Sequence, residues 1–142
     1  MSISAVLRSK GNEVETIGSE TPVFDAVRRL GEKRIGARLV LDEERIVGIM
    51  SERDVIYCLR EHGAGVLDWP VSRVMTESPI TVESSRDVLA ALALMTERRI
   101  RHLPVVDDGQ LVGIVSIGDL VKHRMERIEA EAEAMRAYIQ TA

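Results

Sequence analysis

A single cysteine, Cys58, stands in the 142 residues, so no disulfide can close within the chain and packing must hold the fold. Long apolar runs are missing too. The longest, residues 88–95, falls far short of the roughly 20 residues that a membrane-spanning helix requires. A basic excess is absent: the formal net charge is −4, which argues against the electrostatic footprint of a non-specific nucleic-acid binder. No P-loop, no dinucleotide-type glycine fingerprint and no nucleophile elbow occurs. No basic segment followed by an apolar run opens the chain, which points to a cytoplasmic protein. What is present is 45% apolar content in a length suited to one domain, 1–142, enough to bury a core without staples.

That core is written twice. Residues 103–107 and 110–115 are aliphatic or β-branched runs separated by Asp108-Gly109, a strong two-residue hairpin signal. Ser116 ends the second run, and Asp119 opens a helical pattern. A shift of 65 residues, from Ser116 back to Ser51, returns the same plan without a gap: residues 39–42, a turn at Glu43-Glu44, residues 46–50, then Ser51 and Asp54. Ahead of each hairpin lies a helical stripe at i, i+3, i+4, i+7: Val23, Ala26, Val27 and Leu30 in one copy, Val88, Ala91, Leu92 and Met95 in the other. Thr21 as cap with Pro22 at the first helical position signals the first helix start, and Ser84-Ser85 ahead of Asp87 the second. Short strands are expected at residues 13–17 and 80–83, with Thr16 and Thr81 in matching places.

The expected fold is α/β (α+β): two tandem β-α-β-β-α repeats with pseudo-twofold symmetry, their sheets paired around one core, plus a long C-terminal helix. The first repeat spans 13–62, a linker 63–79, the second repeat 80–124 and the helical extension 125–142. Residues 1–12 carry Ile3, Val6 and Leu7 before a helix stop at Lys10-Gly11-Asn12. Val71 to Met75 resembles Ile3 to Leu7 at an offset of 68, so each repeat is expected to have its own leading turn. In the last helix Val121, Met125, Ile128, Ala132, Met135 and Ile139 alternate spacings of four and three, a heptad seam. Such a stripe is costly to leave in water; packing onto a partner or onto the chain's own body would cover it, and a homodimer, by helix-to-helix or helix-to-module contact, is the expected outcome.

The two Ser-x-x-Asp corners have a structural explanation: serine caps the third helical amide and the acid suits the helix N-terminus. A carboxylate at a strand-to-helix corner can also accept hydrogen bonds from both hydroxyls of a ribose, with helix amides nearby for phosphate. Cys58 and His62, i and i+4, form a possible zinc half-site, but with Val55 and Leu59 they make an apolar stripe, and a structural zinc needs four ligands. His102 and His123 lack partners at ligand spacing. The basic clusters Arg28, Arg29, Lys33, Arg34 and Arg38, and Arg98, Arg99 and Arg101, read as solvated faces that could hold a small anion. The copies diverge where Gly36-Ala37 is replaced by Arg101-His102 and Leu39 by Pro104, so pockets on these loops would not be equivalent.

The stretch Arg101-His102-Leu103-Pro104-Val105-Val106-Asp107-Asp108-Gly109, continuing through Gly113-Ile114-Val115-Ser116 to Asp119 and Lys122, resembles the cystathionine-β-synthase (CBS) domain pair, or Bateman module. So does the earlier Ile46-Val47-Gly48-Ile49-Met50-Ser51-Glu52-Arg53-Asp54. The likeness covers about residues 13–122. It implies a regulatory, signal-transduction module that senses energy or redox state by binding AMP, ADP, ATP, sometimes NAD or S-adenosylmethionine between the repeats. Such modules regulate attached or partner proteins; this chain is expected to regulate a partner in trans, with no catalytic residues and no metal. The ribose positions fall on Ser51 and Asp54, and on Ser116 and Asp119. The base-lining positions fall on Thr16 and Thr81 and on the loops Ile35, Gly36, Ala37, Arg38 and Ile100, Arg101, His102, Leu103, Pro104. Arg53, and Lys122 with His123 and Arg124, are placed to meet phosphate. The alternative is a scaffold or dimerisation module whose corners only cap helices.

Overall fold

The structure is a computed structural model that describes residues 1–33 and 35–141; Arg34 of the first basic cluster lies outside the described residues. Two compact units form, one from residues 13–80 and one from residues 1–12 with 81–142.

In the unit of residues 13–80, β1 (Thr16–Gly18) leads through α2 (Val23–Lys33) to β2 (Ala37–Asp42), which lies parallel to β1, with Thr16 opposite Leu39. β3 (Arg45–Ser51) returns antiparallel, and β4 (Thr76–Glu77) joins its far edge, giving the order β1-β2-β3-β4. The stripe of α2 buries Val23, Ala26 and Leu30 against Val40 and Met50 of the sheet and Val55 of α3 (Glu52–His62). The hairpin turns at Glu43 and Glu44 with φ of 48° and 68°, two left-handed residues in succession, as a type I′ turn demands. Residues 63–79 are folded rather than slack: two 3-10 turns, Ala64–Asp68 and Val71–Arg73, contribute Val66 and Val71 to this core, and Val74 follows.

The other unit repeats the plan. α4 (Val88–Arg98) buries Val88, Ala91 and Met95, and β5 (His102–Asp107) pairs antiparallel with β6 (Gln110–Ser116) around Asp108 and Gly109, at φ 50° and 75°. Both hairpins carry a register shift at matching places, after Val40 and after Val105. The strand expected at residues 80–83 shrinks to a single parallel bridge, Val82 to Val105. The Val82 N–H reaches the Pro104 carbonyl (3.1 Å) and the Val106 N–H reaches the Val82 carbonyl (2.9 Å). The next rung would need an N–H from residue 104, and proline has none.

Three expectations are corrected. The leading turns do not stay with the repeats they precede. α1 (Ile3–Lys10) packs in the unit of the second repeat, where Ile3 N–H meets Arg86 O (2.9 Å) and Val88 N–H meets Met1 O (3.1 Å). Residues 69–75 likewise join the first repeat, where Val23 N–H meets Trp69 O and Val71 N–H meets Thr21 O, both at 2.8 Å. A glycine notch receives each one: a Cβ on Gly113 of β6 would lie 2.8 Å from Leu7 Cδ2, and one on Gly48 of β3 would lie 2.5 Å from Met75 Sδ. The helix starts also differ. α2 begins at Val23, past Pro22, its first amide taken by the Trp69 carbonyl. Asp87 rather than a serine caps α4, accepting from the Leu89 and Ala90 amides at 3.1 and 3.3 Å. Ser84 instead donates its amide and hydroxyl to Asp107, at 2.9 and 2.5 Å, and these bonds hold the Asp107 carboxyl below its ordinary value against a small opposing effect of burial.

α5 (Ile117–Thr141) runs for 25 residues, about 37 Å at 1.5 Å per residue. Leu120 anchors it in the unit, and every residue from 125 to 141 is exposed.

Candidate functional site

Each strand-to-helix corner is built by a reciprocal pair. Ser51 donates its amide (2.9 Å) and hydroxyl (3.1 Å) to Asp54 Oδ2, and the Asp54 amide donates to Ser51 Oγ at 3.2 Å, a capping box. At the second corner the Ser116 amide meets Asp119 Oδ2 at 2.8 Å, and the Asp119 amide meets Ser116 Oγ at 3.1 Å. The capping explanation of these motifs is therefore correct as far as it goes. It leaves the outer side of each carboxylate to be accounted for.

The two corners differ there. Thr76 Oγ1 donates to Asp54 Oδ1 at 3.1 Å, a neutral partner. Asp119 meets a cation: Lys10 Nζ lies 2.6 Å from Oδ2 and 2.6 Å from the Ile114 carbonyl. The Lys10 ammonium and the Ser116 amide both bond to Asp119 Oδ2. Burial pushes the Asp119 carboxyl up, but the hydrogen bonds from Lys10 and Ser116 and the charge of Lys10 outweigh it, so the group sits below the ordinary carboxylate value. Asp119 is thus held ionised at the N-terminus of a long helix, beside a cavity of about 300 Å³ that Ser9, Lys10, Lys122, His123 and Glu126 also line. The Nε2 atom of His123 is buried without a hydrogen-bond partner among the described residues.

Register brings each loop to its own corner. Ala37 lies opposite Ser51 and His102 opposite Ser116, while the Glu52 amide reaches Gly36 O and the Ile117 amide reaches Arg101 O, each at 2.9 Å. Ile35 and Gly36 line an apolar cavity of about 640 Å³ with Leu30, Val55, Ile56 and Leu59. Ile100 is half-buried and its amide reaches Met95 O, Leu103 and Pro104 are buried in β5, and Arg101 is exposed. Thr16 is half-buried on β1. Thr81 is exposed and lines a separate cavity with Arg86, Asp87 and Asp108, away from Asp119.

Of the candidate phosphate contacts, Lys122 and His123 stand at the Asp119 cavity, Arg124 is half-buried outside its lining, and Arg53 is exposed on α3. Arg38 does not belong to a solvated face: it is 4% exposed, with its guanidinium on Glu15 (3.2 Å) and the Arg29 carbonyl (3.1 Å) and its Nε unpaired. A buried arginine fixed by two partners is a structural strut in this state. Cys58 packs against the core, the His62 ring lies 5.1 Å from that of Trp69, and among the described residues no group of three or more His, Cys, Asp or Glu is placed to hold a metal ion. No described helix is long and apolar enough to cross a membrane.

Sequence reasoning missed Lys10 and Thr76. Lys10 reads as part of a helix stop, and its contact spans 109 positions of sequence. The repeat of the leading segments was the available signal, since each delivers a polar side chain to one of the two aspartates.

Comparison with known proteins agrees with the internal repeat. The CBS domain family matches residues 5–61 and 71–126. The mitochondrial CBS domain-containing protein CBSX3 of Arabidopsis thaliana is 35% identical over 147 aligned residues, covering 97% of this chain and 71% of that protein. Other curated plant relatives are longer, and this chain spans as little as 21% of their length. Among solved structures, the CBS-domain containing protein ATU1752 from Agrobacterium tumefaciens superposes with a TM-score of 0.85 at 34% identity, over 87% of this chain and 99% of that one. The CBS domain protein PAE2072 from Pyrobaculum aerophilum, complexed with AMP, does so at 0.73 and 28% identity, over 84% and 89%. With both repeats matched over most of its length, the chain belongs to the CBS domain family.

Proposed function

We propose that this chain is a regulatory module that binds an adenosine nucleotide and acts on a partner in trans, with no chemical step of its own. The observation that carries the reading is the Asp119 corner: a carboxylate held ionised, at a helix N-terminus, in a polar cavity that also holds Lys10, Lys122 and His123. That donor set matches a ribose phosphate, because a carboxylate accepts from vicinal hydroxyls while ammonium groups and helix amides attract phosphate. The AMP held by the relative from Pyrobaculum aerophilum supports the ligand class. AMP, ADP, ATP and NAD share the ribose phosphate, so the corner favours none of them; S-adenosylmethionine, which has no phosphate, fits the lysines less well.

In this reading the ribose hydroxyls take the place of Lys10 on Asp119, and the released ammonium turns to the phosphate beside Lys122. Ser51 and Asp54 form the corresponding corner of the first repeat, with the apolar cavity at Ile35 and Gly36 suited to a base. The test compares adenosine with AMP on Lys10→Met. AMP should lose about tenfold in affinity, one charge-assisted hydrogen bond, while adenosine binding holds or strengthens. Equal loss for both ligands would contradict the assignment of Lys10 to phosphate.

A second reading, a scaffold without ligand, rests on the completeness of the capping box at Asp54, whose two oxygens are both engaged within the unit. Saturable nucleotide binding separates the two.

A further inference from the structure

We propose that residues 10–15 form a strap whose Lys10 end is released when the Asp119 corner takes its ligand, so that the strap distinguishes a nucleoside from a nucleotide; this rests on the nucleotide reading above. The start of α1 is fixed by backbone: the Ile3 and Ser4 amides donate to Arg86 O and Ser84 O, both at 2.9 Å, and Leu7 lies over Gly113. Residues 8–10 are exposed, and Lys10, the last residue of α1, tethers that final turn through its ammonium, 2.6 Å from both Asp119 Oδ2 and the Ile114 carbonyl. Residues 11–15 have no regular structure and lead into β1 of the other unit. At that far end Glu15 pairs with Arg38 of β2 at 3.2 Å. Ala37, next to Arg38, faces Ser51 across the hairpin. One clamp therefore sits at the Asp119 corner, and the other lies one residue along the strand from the Ser51 corner.

The two clamps are unequal. Arg38 is 4% exposed, and its Nε is already unpaired among the described residues, so letting go of Glu15 would leave a buried charge further short of partners, which is strongly destabilising. The Lys10 side chain is 32% exposed, and its ammonium can exchange Asp119 for water or for a ligand anion at little cost. Glu15 is the fixed end and Lys10 the moving one. The ligand's charge decides where the moving end goes. A nucleoside brings hydroxyls to Asp119 and nothing for the ammonium, so Lys10 passes into solvent. The last turn of α1, closed by the Gly11 N–H on Leu7 O at 2.8 Å, then frays as an untethered helix end does. A nucleoside phosphate brings its own anion, to which Lys10 transfers beside Lys122, and the turn stays ordered. The difference between the two ligands is thus expressed where the chain passes from one repeat to the other.

The experiment is amide hydrogen exchange, read by mass spectrometry, on the intact protein alone and saturated with adenosine or with AMP, occupancy being established by calorimetric titration. Adenosine should speed exchange at residues 9–12 severalfold, and AMP should leave it at or below the ligand-free rate. Residues 15–18, behind the fixed clamp, should not exchange faster in either complex. Ligand-free Lys10→Met should already show the fast exchange at residues 9–12, whereas Lys10→Arg, which keeps a cation within reach of Asp119, should not. Saturable binding of adenosine with no change at residues 9–12, an equal effect of adenosine and AMP, or a ligand-free Lys10→Met that exchanges as slowly as wild type would overturn the strap while leaving nucleotide binding in place. Failure of both ligands to bind would instead remove the nucleotide reading, and the strap with it.

Discussion

Replacing Lys10 by methionine removes the cation from Asp119 while keeping an unbranched aliphatic side chain at that position. The pair lies between surface and core, with the side chains 32 and 26% exposed, and Lys10 also gives up its bond to the Ile114 carbonyl. Fully exposed pairs contribute about 0–1 kcal/mol and sheltered charge-assisted bonds about 1.5–3 kcal/mol, so a loss of about 1 kcal/mol is expected at pH 7. For a chain of this size that lowers the melting temperature by about 3 °C. The pH dependence carries a sign. The folded-state value of Asp119 lies below the unfolded one, so its contribution is fully present above about pH 4 and is lost as pH falls through the depressed folded value. The gap between wild type and Lys10→Met should therefore be constant from pH 7 to about pH 5 and close at lower pH, as followed by urea unfolding at a series of pH values. Equal stability at pH 7, or a gap undiminished at pH 3, would refute the reasoning.

The exchanged leading segments and the hairpin turns give further tests. Gly48→Ala would press a methyl group onto Met75 Sδ and, at 2.8 Å, onto the Thr76 backbone carbonyl, so it should cost about 1–3 kcal/mol; Gly113→Ala meets only the tip of Leu7 and should cost clearly less. Chemical unfolding of the two variants checks this, and equal losses would deny the difference between the two notches. Glu44 stands at φ 68°, where glycine is free of the roughly 1–2 kcal/mol side-chain penalty but costs about 0.5–1 kcal/mol more in chain entropy, so Glu44→Gly should raise stability by about 0.5 kcal/mol. A fall in melting temperature would show that Glu44 makes a compensating contact.

Much of the fold was legible because the same solution is written twice. Asp108-Gly109 identified a hairpin by local chemistry, and the shift of 65 residues then placed a turn at Glu43-Glu44, where the residues themselves argue against left-handed backbone. The strand at residues 80–83 was misjudged because the pattern of apolar residues ignores a missing donor on its neighbour, Pro104. Which repeat each leading segment joins was not legible. The contacts of Leu7 over Gly113 and of Met75 over Gly48 exist only in the folded chain, and nothing within residues 1–12 specifies them. At the site, the Ser-x-x-Asp corners follow from local capping rules and were readable, whereas Lys10 reaches Asp119 only through the packing of α1. The heptad seam was readable for the opposite reason, since an uncovered helix face reports its own periodicity.

Calorimetric titration of ligand-free protein with AMP, on wild type and on Asp119→Ala with the stability of both recorded, tests the central claim most directly. The account predicts saturable binding that weakens tenfold to a hundredfold in the variant, the loss of charge-assisted bonds worth about 1.5–3 kcal/mol. It also predicts about 2.7 kcal/mol of added stability for wild type at a ligand concentration one hundred times the Kd. Absence of saturable binding by AMP, ADP, ATP or NAD at millimolar concentration, or unchanged affinity in Asp119→Ala, would contradict it and leave the two corners as helix caps alone.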